Sequence, residues 1–150
     1  MLSQEKLIKS VLEDFEEIKN IINIDKDYGS GFRTRARTIP SLIMDIGLIP
    51  SITFLYSKIE EKNYKILINF LEKREDVSNL KKISSEKISY GLYLYLLLKH
   101  LKRKGLISDE KDVPKSINAL SQKVEFSTNI ILPYLIEVKK LATALYEEKE

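Results

Sequence analysis

The sequence predicts an all-α protein, a single-domain bundle of about six to seven helices covering residues 1–150. Apolar residues recur with 3.6-residue spacing in several long segments, and Ser, Asp, Gly and Pro stand where such segments would begin or end. No alternating strand pattern competes over a comparable length, although the many Ile and Tyr residues favour strands locally. A chain of 150 residues that is 43% hydrophobic can bury its own core.

The first helix is predicted to begin at a Ser3 cap. Its apolar stripe comprises Leu7, Ile8, Val11, Leu12, Phe15, Ile18 and Ile22. Four acidic residues should lie largely on the other side: Glu13, Asp14, Glu16 and Glu17. An aspartate and two glycines then predict a loop over residues 25–31.

The second helix carries three arginines beside an apolar stripe formed by Phe32, Ala36, Ile39, Ile43 and Ile46. At about 100° per residue, Arg33 and Arg37 share one flank of this stripe, whereas Arg35 projects on the opposite flank. Pro40 is expected to kink the helix, and Gly47 is a natural place for it to end.

Leu48 should start a third helix with Pro50 in its first turn, and a fourth helix is built on Tyr64 to Leu71. A polar linker is predicted over residues 75–78. The next helix should run from a Ser84 or Ser85 cap to Lys104, with Gly105 after its end. Its middle, YGLYLYLLL, is apolar all round, which predicts a central helix packed on several sides.

Two further helices complete the bundle. Asp112 and Pro114 should open a short helix that continues through Val124. Ser127 or Thr128 is predicted to start the last helix, with Pro133 within its first turns. Its apolar stripe comprises Ile131, Leu135, Val138, Ala142 and Leu145.

Composition excludes several classes of protein. The chain has no cysteine and one histidine, so we expect neither a disulfide nor a metal site. The longest apolar run, Tyr90 to Leu98, is far shorter than the roughly 20 residues that span a bilayer, and no signal peptide is visible, so we expect a cytoplasmic protein. Charge is uneven: residues 1–25 hold three lysines against six acids, while residues 81–104 hold seven basic residues against one acid.

No catalytic residue or cofactor site is predicted. Helical ribonucleases of the HEPN type pair an arginine with a histidine a few residues later, but the positions before His100 hold Tyr93, Leu94 and Tyr95. No phosphate-binding glycine loop, nucleophile–base pair or converging carboxylates are present. Tyr90, Tyr93 and Tyr95 could stack on bases, but their setting among leucines favours core packing. We therefore expect a protein that is not an enzyme.

Three stretches together resemble one family signature. The first places a tyrosine, a basic stretch, a proline, a Gly-Leu pair and a lysine in order: Tyr28, Arg33, Arg37, Pro40, Gly47, Leu48, Phe54 and Lys58. The second is a central tyrosine-glycine segment, residues 90–93. The third is C-terminal: Thr128, Leu135, Lys139, Lys140, Ala142 and Ala144. This pattern resembles the small helical subunit of the type III-B (Cmr) CRISPR effector complex, except that Glu137 and Val138 replace the aromatic often found before the terminal basic pair.

The resemblance implies a non-catalytic subunit that stacks head to tail with copies of itself into a short filament. Its partners would be the other Cmr subunits, including the large subunit, together with crRNA and target RNA. The predicted RNA-binding residues are Lys26, Arg33, Arg37, Lys58, Lys139 and Lys140, of which all but Lys26 match positions of the family pattern. Arg35, on the other flank, is expected to pair with an acid or with a neighbouring subunit. The alternative is a helical protein–protein adaptor whose basic residues are ordinary solvated helix faces.

Overall fold

The structure is a computed structural model that describes residues 2–148 and the side chains of residues 4–148. Within that range it contains eight α-helices and no strand: α1 (Leu2–Ile22), α2 (Lys26–Ile46), α3 (Leu48–Ile59), α4 (Glu61–Leu71), α5 (Val77–Lys81), α6 (Ser85–Arg103), α7 (Val113–Leu120) and α8 (Val124–Leu145). The predicted all-α class is confirmed. Ser3, the predicted cap of α1, lies outside the described side chains.

Helix α6 lies at the centre of the bundle and packs against α2, α3 and α8. Every residue from Ile88 to Leu98 is buried, so the prediction from its all-round apolar sequence is confirmed. The Ser84 hydroxyl caps the helix by accepting from the Lys87 backbone N–H at 3.2 Å. Gly105 follows its end with a φ of 76°, a conformation that favours glycine.

Helix α2 begins earlier than predicted, because residues 26–31 are helical rather than a loop. The Asp25 carboxylate caps it by accepting from the Asp27 N–H at 2.9 Å. Gly31 does not form a turn; a Cβ there would lie 2.8 Å from the Ser89 Cβ. The glycine therefore allows α2 and α6 to approach closely.

Two other boundaries differ from prediction. The expected linker near residue 76 leads into a short extra helix, α5, because the Asp76 carboxylate accepts from the Ser78 N–H at 3.1 Å and Leu80 is buried. Helix α7 ends at Leu120, and α8 starts at Val124 rather than at residue 127 or 128. No side-chain cap marks that start. Sequence signals based on caps therefore missed it.

Of the two prolines inside long helices, only Pro133 differs from expectation, because it lies deeper than the first turns of its helix. Pro133 lies in the interior of α8, and Pro40 lies within the continuous α2. A proline lacks the N–H that would bond the carbonyl four residues earlier. For Pro133 that carbonyl belongs to Asn129, which is exposed and can bond water instead. Among residues 2–148, no helix is both long and apolar enough to cross a membrane.

Candidate nucleic-acid interface

The three arginines of α2 point to two different surfaces. Arg37 donates from Nη1 to the Thr143 hydroxyl of α8 at 3.1 Å. The Arg35 guanidinium instead lies 4.1 Å from the centre of the Tyr90 ring of α6. These contacts confirm the prediction that Arg35 and Arg37 occupy opposite flanks. The predicted acidic partner of Arg35 is not found among residues 4–148, where its contact is the aromatic ring of Tyr90.

Helices α2 and α8 run antiparallel, which brings basic residues of both together. The rings of Phe32 and Tyr146 are 6.0 Å apart, whereas Arg37, further along α2, contacts Thr143, further back on α8. Lys139 lies one turn before Thr143 and so faces the same side. On α2, one stripe carries Lys26, Arg33 and Arg37 at spacings of seven and four residues. We call these three residues and Lys139 the α2–α8 face.

The positive charges of the α2–α8 face are not neutralised by ion pairs within the described chain. Lys26 and Arg37 are exposed, whereas Arg33 and Lys139 are partly buried. None of the four makes a salt bridge to an acid among residues 4–148. The buried Nε of Arg33 also has no acceptor there. This surface therefore presents cations whose hydrogen-bonding capacity is largely unused.

The remaining two predicted RNA-binding residues lie elsewhere. Lys140 points toward α1 and pairs with Glu137 at 2.9 Å. The Lys58 ammonium lies 5.4 Å from the centre of the Phe54 ring on α3, near Tyr90. Phe54 and Tyr90 in turn meet edge to face, so Lys58 shares the flank of Arg35. The structure thus brings four of the six predicted residues to one face and leaves two outside it.

The strongly basic block at residues 81–104 is mostly used inside the molecule. Lys87 pairs with Glu60 at 2.6 Å, and Lys102 pairs with Glu110 at 3.0 Å. Two further members, Lys99 and Arg103, contact a buried carboxylate of α1. These internal pairs reduce the positive charge that the block can offer to a ligand.

That carboxylate belongs to Asp14, which was predicted to lie away from the core but is fully buried. It accepts from Arg103 at 2.5 Å and from the Tyr134 hydroxyl at 2.6 Å, and Lys99 lies 3.5 Å away. Its position one turn before Ile18 places it on the apolar stripe of α1. This helical spacing was the sequence signal that Asp14 is buried, although aspartate is seldom buried in proteins.

His100 belongs to the same buried region. Its ring stacks on Tyr134 with centres 4.0 Å apart, and its Nδ1 lies 2.7 Å from Arg103 Nη1. Burial, together with the positive charges of Arg103 and Lys104, lowers the pKa of His100 to about 3. The imidazole is therefore neutral near pH 7. Its contacts are those of a packed core residue.

The three tyrosines of α6 also pack into the core, as predicted. Tyr93 is fully buried, and Tyr90 and Tyr95 each expose only 7% of their surface. The Tyr95 hydroxyl donates to the Glu17 carboxylate of α1. Burial raises the pKa of Tyr93 and of Tyr95, so both phenols stay neutral. None of these rings offers an open face for a base.

The described chain is thus an all-helical bundle whose α2–α8 face gathers four basic residues without acidic partners among residues 4–148. The model of the family described as CRISPR-associated protein (Cas_Cmr5) matches residues 4–145, and the chain belongs to this family. This confirms the resemblance found in the sequence.

Individual relatives match along nearly the whole chain. The CRISPR system CMR subunit Cmr5 of Saccharolobus solfataricus is 29% identical and aligns over 97% of both chains. Among solved structures, a chain of the Type III-B Cmr-beta complex bound to cognate target RNA and AMPPnP is 28% identical, with a TM-score of 0.77 over 97% of this chain and 99% of that one. A chain of the Type III-B Cmr-beta complex bound to non-cognate target RNA is 26% identical, with a TM-score of 0.80 over 95% of this chain and 97% of that one.

Proposed function

We propose that this chain is the non-catalytic small subunit of a cytoplasmic type III-B Cmr ribonucleoprotein. Copies stack head to tail into a short filament beside the other Cmr subunits, including the large subunit, and bind target RNA or its duplex with crRNA. The observation that carries the proposal is the α2–α8 face, whose four basic residues have no acidic partner in the described chain. Support comes from full-length similarity to chains of Cmr complexes bound to target RNA.

Phosphate is the chemistry that this face suits best. A guanidinium is planar and permanently charged, so it can bond two phosphate oxygens at once. Arg37 donates one hydrogen bond to the neutral Thr143 hydroxyl, which orients the guanidinium without neutralising its charge. Contacts to phosphates carry no sequence information, as a subunit serving many different guides requires.

The test replaces Arg33 and Arg37 with alanine in a reconstituted complex. Target-RNA affinity is measured across a salt series with two guides of unrelated sequence. Each lost phosphate contact should reduce the slope of log affinity against log salt by about 0.7, so the double variant should lose about 1.4 with both guides. Fold should be retained: truncating the exposed Arg37 should cost within about 0.5 kcal/mol, and Arg33, although partly buried, lies outside the hydrophobic core.

A matched control removes the same charge elsewhere. Lys19→Ala with Lys65→Ala eliminates two exposed lysines of α1 and α4 that pair locally with Glu16 and Glu61. This control should leave the salt slope unchanged. If Arg33→Ala with Arg37→Ala also leaves affinity and slope unchanged in an assembled complex, the α2–α8 face does not bind RNA, and the adaptor hypothesis becomes the better one.

A further inference from the structure

The α2–α8 face continues into an apolar surface at one end. Met44 stands two turns beyond Arg37 on α2, so both side chains project from the same side of the helix. Ile136 stands two turns before Thr143 on α8 and shares its side for the same reason. Arg37 meets Thr143 and the two helices are antiparallel, so these further turns also run side by side. Met44 and Ile136 therefore lie at the same level, and we call them the apolar patch.

Both side chains of the apolar patch are open to solvent. Met44 is 74% exposed, the highest fraction among the large hydrophobic residues that the structure describes, and Ile136 is 46% exposed. Lys139 stands one turn past Ile136 on α8, about 4.5 Å further along the helix axis. Exposed apolar side chains and unpaired cations thus adjoin on one surface.

The acids near the apolar patch are paired or face another way. Asp45 follows Met44 but projects about 100° further round α2, where it borders the cavity on the opposite flank. Glu137 pairs with Lys140 at 2.9 Å. Glu125 shares the side of the patch on α8 but stands eleven residues before the isoleucine, about 16 Å away along the axis. The surface therefore suits a ligand that carries negative charge beside an apolar group.

A strand of RNA with an unpaired base has both of these chemical features. Its phosphates are anionic, and the face of a base is apolar and aromatic once the base leaves the stack. Methionine is unbranched and has a polarisable sulfur, so it adapts to an aromatic ring and contacts it favourably. The tyrosines of α6 offer no open face, whereas the apolar patch does. A duplex hides the faces of its bases and could use only the cations.

We propose that the apolar patch contacts an unpaired nucleobase of the RNA strand whose phosphates bond to Arg37 and Lys139. This inference rests on the proposed binding of RNA by the α2–α8 face and names a second part of the RNA that the face recognises. The contact accepts any base, because every base has a π-face. An apolar contact releases no counterions, so its loss lowers affinity without changing the dependence on salt.

The test compares two strands that differ only in their bases. One is a short single-stranded oligouridylate, and the other has the same ribose–phosphate backbone without bases. Binding of each to the full chain is measured by fluorescence anisotropy across a salt series. The patch variant, Met44→Ser with Ile136→Ser, should bind the oligouridylate about fivefold more weakly, with an unchanged salt slope. Its affinity for the strand without bases should equal that of the wild type.

Two further variants separate a local contact from a general effect. Leu12→Ser with Phe126→Ser removes two other exposed apolar side chains, which are 52% and 61% exposed, and should bind both strands as the wild type does. Arg33→Ala with Arg37→Ala should bind both strands more weakly and with a smaller salt slope. Circular dichroism should show equal helix content in all the variants, because the serine substitutions are at exposed positions.

A second measurement needs no substitution in the patch. The chain has two methionines, and hydrogen peroxide converts an exposed methionine to its sulfoxide at a rate that mass spectrometry records. At equal occupancy, oligouridylate should slow the oxidation of Met44 at least about twofold, whereas the strand without bases should not. Oxidation of Met1 should be the same with both strands.

The outcomes separate this inference from the function on which it rests. If the patch variant binds both strands normally while the arginine variant weakens both, the α2–α8 face binds phosphate alone and the inference is wrong, although the function stands. Equal weakening of both strands by the patch variant would also overturn it, because the patch would then not act through bases.

Two other results would also overturn the inference. A patch variant that binds RNA normally but no longer co-purifies with other Cmr subunits would show that the patch docks a protein. If the wild-type chain binds neither strand at low salt, the patch contacts no base, and the measurement in the reconstituted complex decides the proposed function by itself.

Discussion

Asp14 is the residue at which three helices are held together. Its carboxylate, on α1, is bonded by Arg103 of α6 and by the Tyr134 hydroxyl of α8. The charge-assisted bond to Asp14 raises the pKa of Arg103, against the desolvation that would lower it. The desolvation cost of burying an ion pair cancels much of the Coulomb attraction between its charges, so the pair contributes little net stability. Removing one partner is different, because the remaining charges lose their compensation.

We expect Asp14→Ala to lower the free energy of unfolding by about 3 kcal/mol, since the Arg103 and Lys99 side chains, which are 26% and 25% exposed, would lose the buried carboxylate that compensates their charge. Urea unfolding followed by circular dichroism measures this. Glu13→Ala is the matched control, because Glu13 is the exposed neighbour and its loss should cost within about 0.5 kcal/mol. Similar midpoints for the two variants would show that the buried carboxylate is not needed for stability.

His100 predicts a dependence of stability on pH. Its pKa is about 3 in the folded protein and about 6.5 when unfolded, so the unfolded chain binds the extra proton between these values. Stability is therefore complete above pH 6.5 and decreases as pH falls. Between pH 8 and pH 5 the free energy of unfolding should drop by about 2 kcal/mol through this residue.

The change that isolates this effect is His100→Phe, which keeps a ring beside Tyr134 but cannot be protonated. Its overall stability is expected to be lower because Arg103 loses a nitrogen partner, and this loss is the same at both pH values. The readout is the difference between urea midpoints at pH 8 and pH 5. An equal difference in wild type and variant would assign the pH dependence to other groups.

At the level of elements, glycines set the distance between helices. Gly91 of α6 lies where a Cβ would approach Leu67 at 2.8 Å and Ile59 at 2.9 Å. Gly31 of α2 plays the same part against Ser89. Gly29, on the same helix, has more room: a Cβ there would lie 3.4 Å from Tyr146, an ordinary contact. Close packing of α2 on α6 therefore depends on one of the two α2 glycines.

Gly31→Ala should reduce the free energy of unfolding by about 1–3 kcal/mol, because the added methyl group forces α2 and α6 apart. Gly29→Ala is the control and should be neutral or slightly stabilising, because alanine favours a helix by about 1 kcal/mol over glycine. Thermal unfolding of both variants gives the comparison. The packing argument fails if Gly31→Ala is as stable as Gly29→Ala.

Helix prediction succeeded at several ends that local chemistry marks, but it missed two starts that an aspartate caps, Asp25 before α2 and Asp76 before α5. Ser84, Asp112 and Gly105 mark their boundaries with caps or a positive φ, and all three were predicted. Residues 26–31 were predicted as a loop because glycine usually interrupts helices. The close approach of Ser89, remote in sequence, explains why glycine rather than a larger residue occupies position 31 of the helix. Helix propensity depends on local sequence alone and cannot predict a contact with a residue so distant in the chain.

For the whole molecule, the arrangement of charge matters more than its total. The formal net charge is only +3, and many lysines are paired with nearby acids. Three arginines without an ion pair among residues 4–148 lie on the two flanks of α2: Arg33, Arg35 and Arg37. Helical periodicity predicted that Arg35 and Arg37 would separate. It could not predict that Lys58 joins Arg35, or that Lys139 joins Arg37, because both depend on how α3 and α8 pack.

We expect the purified protein to leave RNA intact with or without Mg²⁺. His100, whose pKa is about 3, cannot exchange protons near pH 7, and no group of three acidic or histidine side chains gathers among the described residues to hold a metal. Incubation with labelled RNA and gel analysis tests this. Cleavage that survives repeated purification and disappears in a variant of one acidic residue would establish an enzyme.

The enclosure of α6 on every side has a consequence for how the protein opens. Its amide hydrogens can reach water only if α2, α3 and α8 separate from it, so their exchange with deuterium should report global unfolding. The five-residue α5, whose backbone is covered chiefly by Leu80, can open by itself and should exchange much sooner. In isolated subunits, the amide hydrogens of α6 should therefore exchange slowly, while those of surface elements exchange faster. Assembly should add protection from exchange at the surface alone.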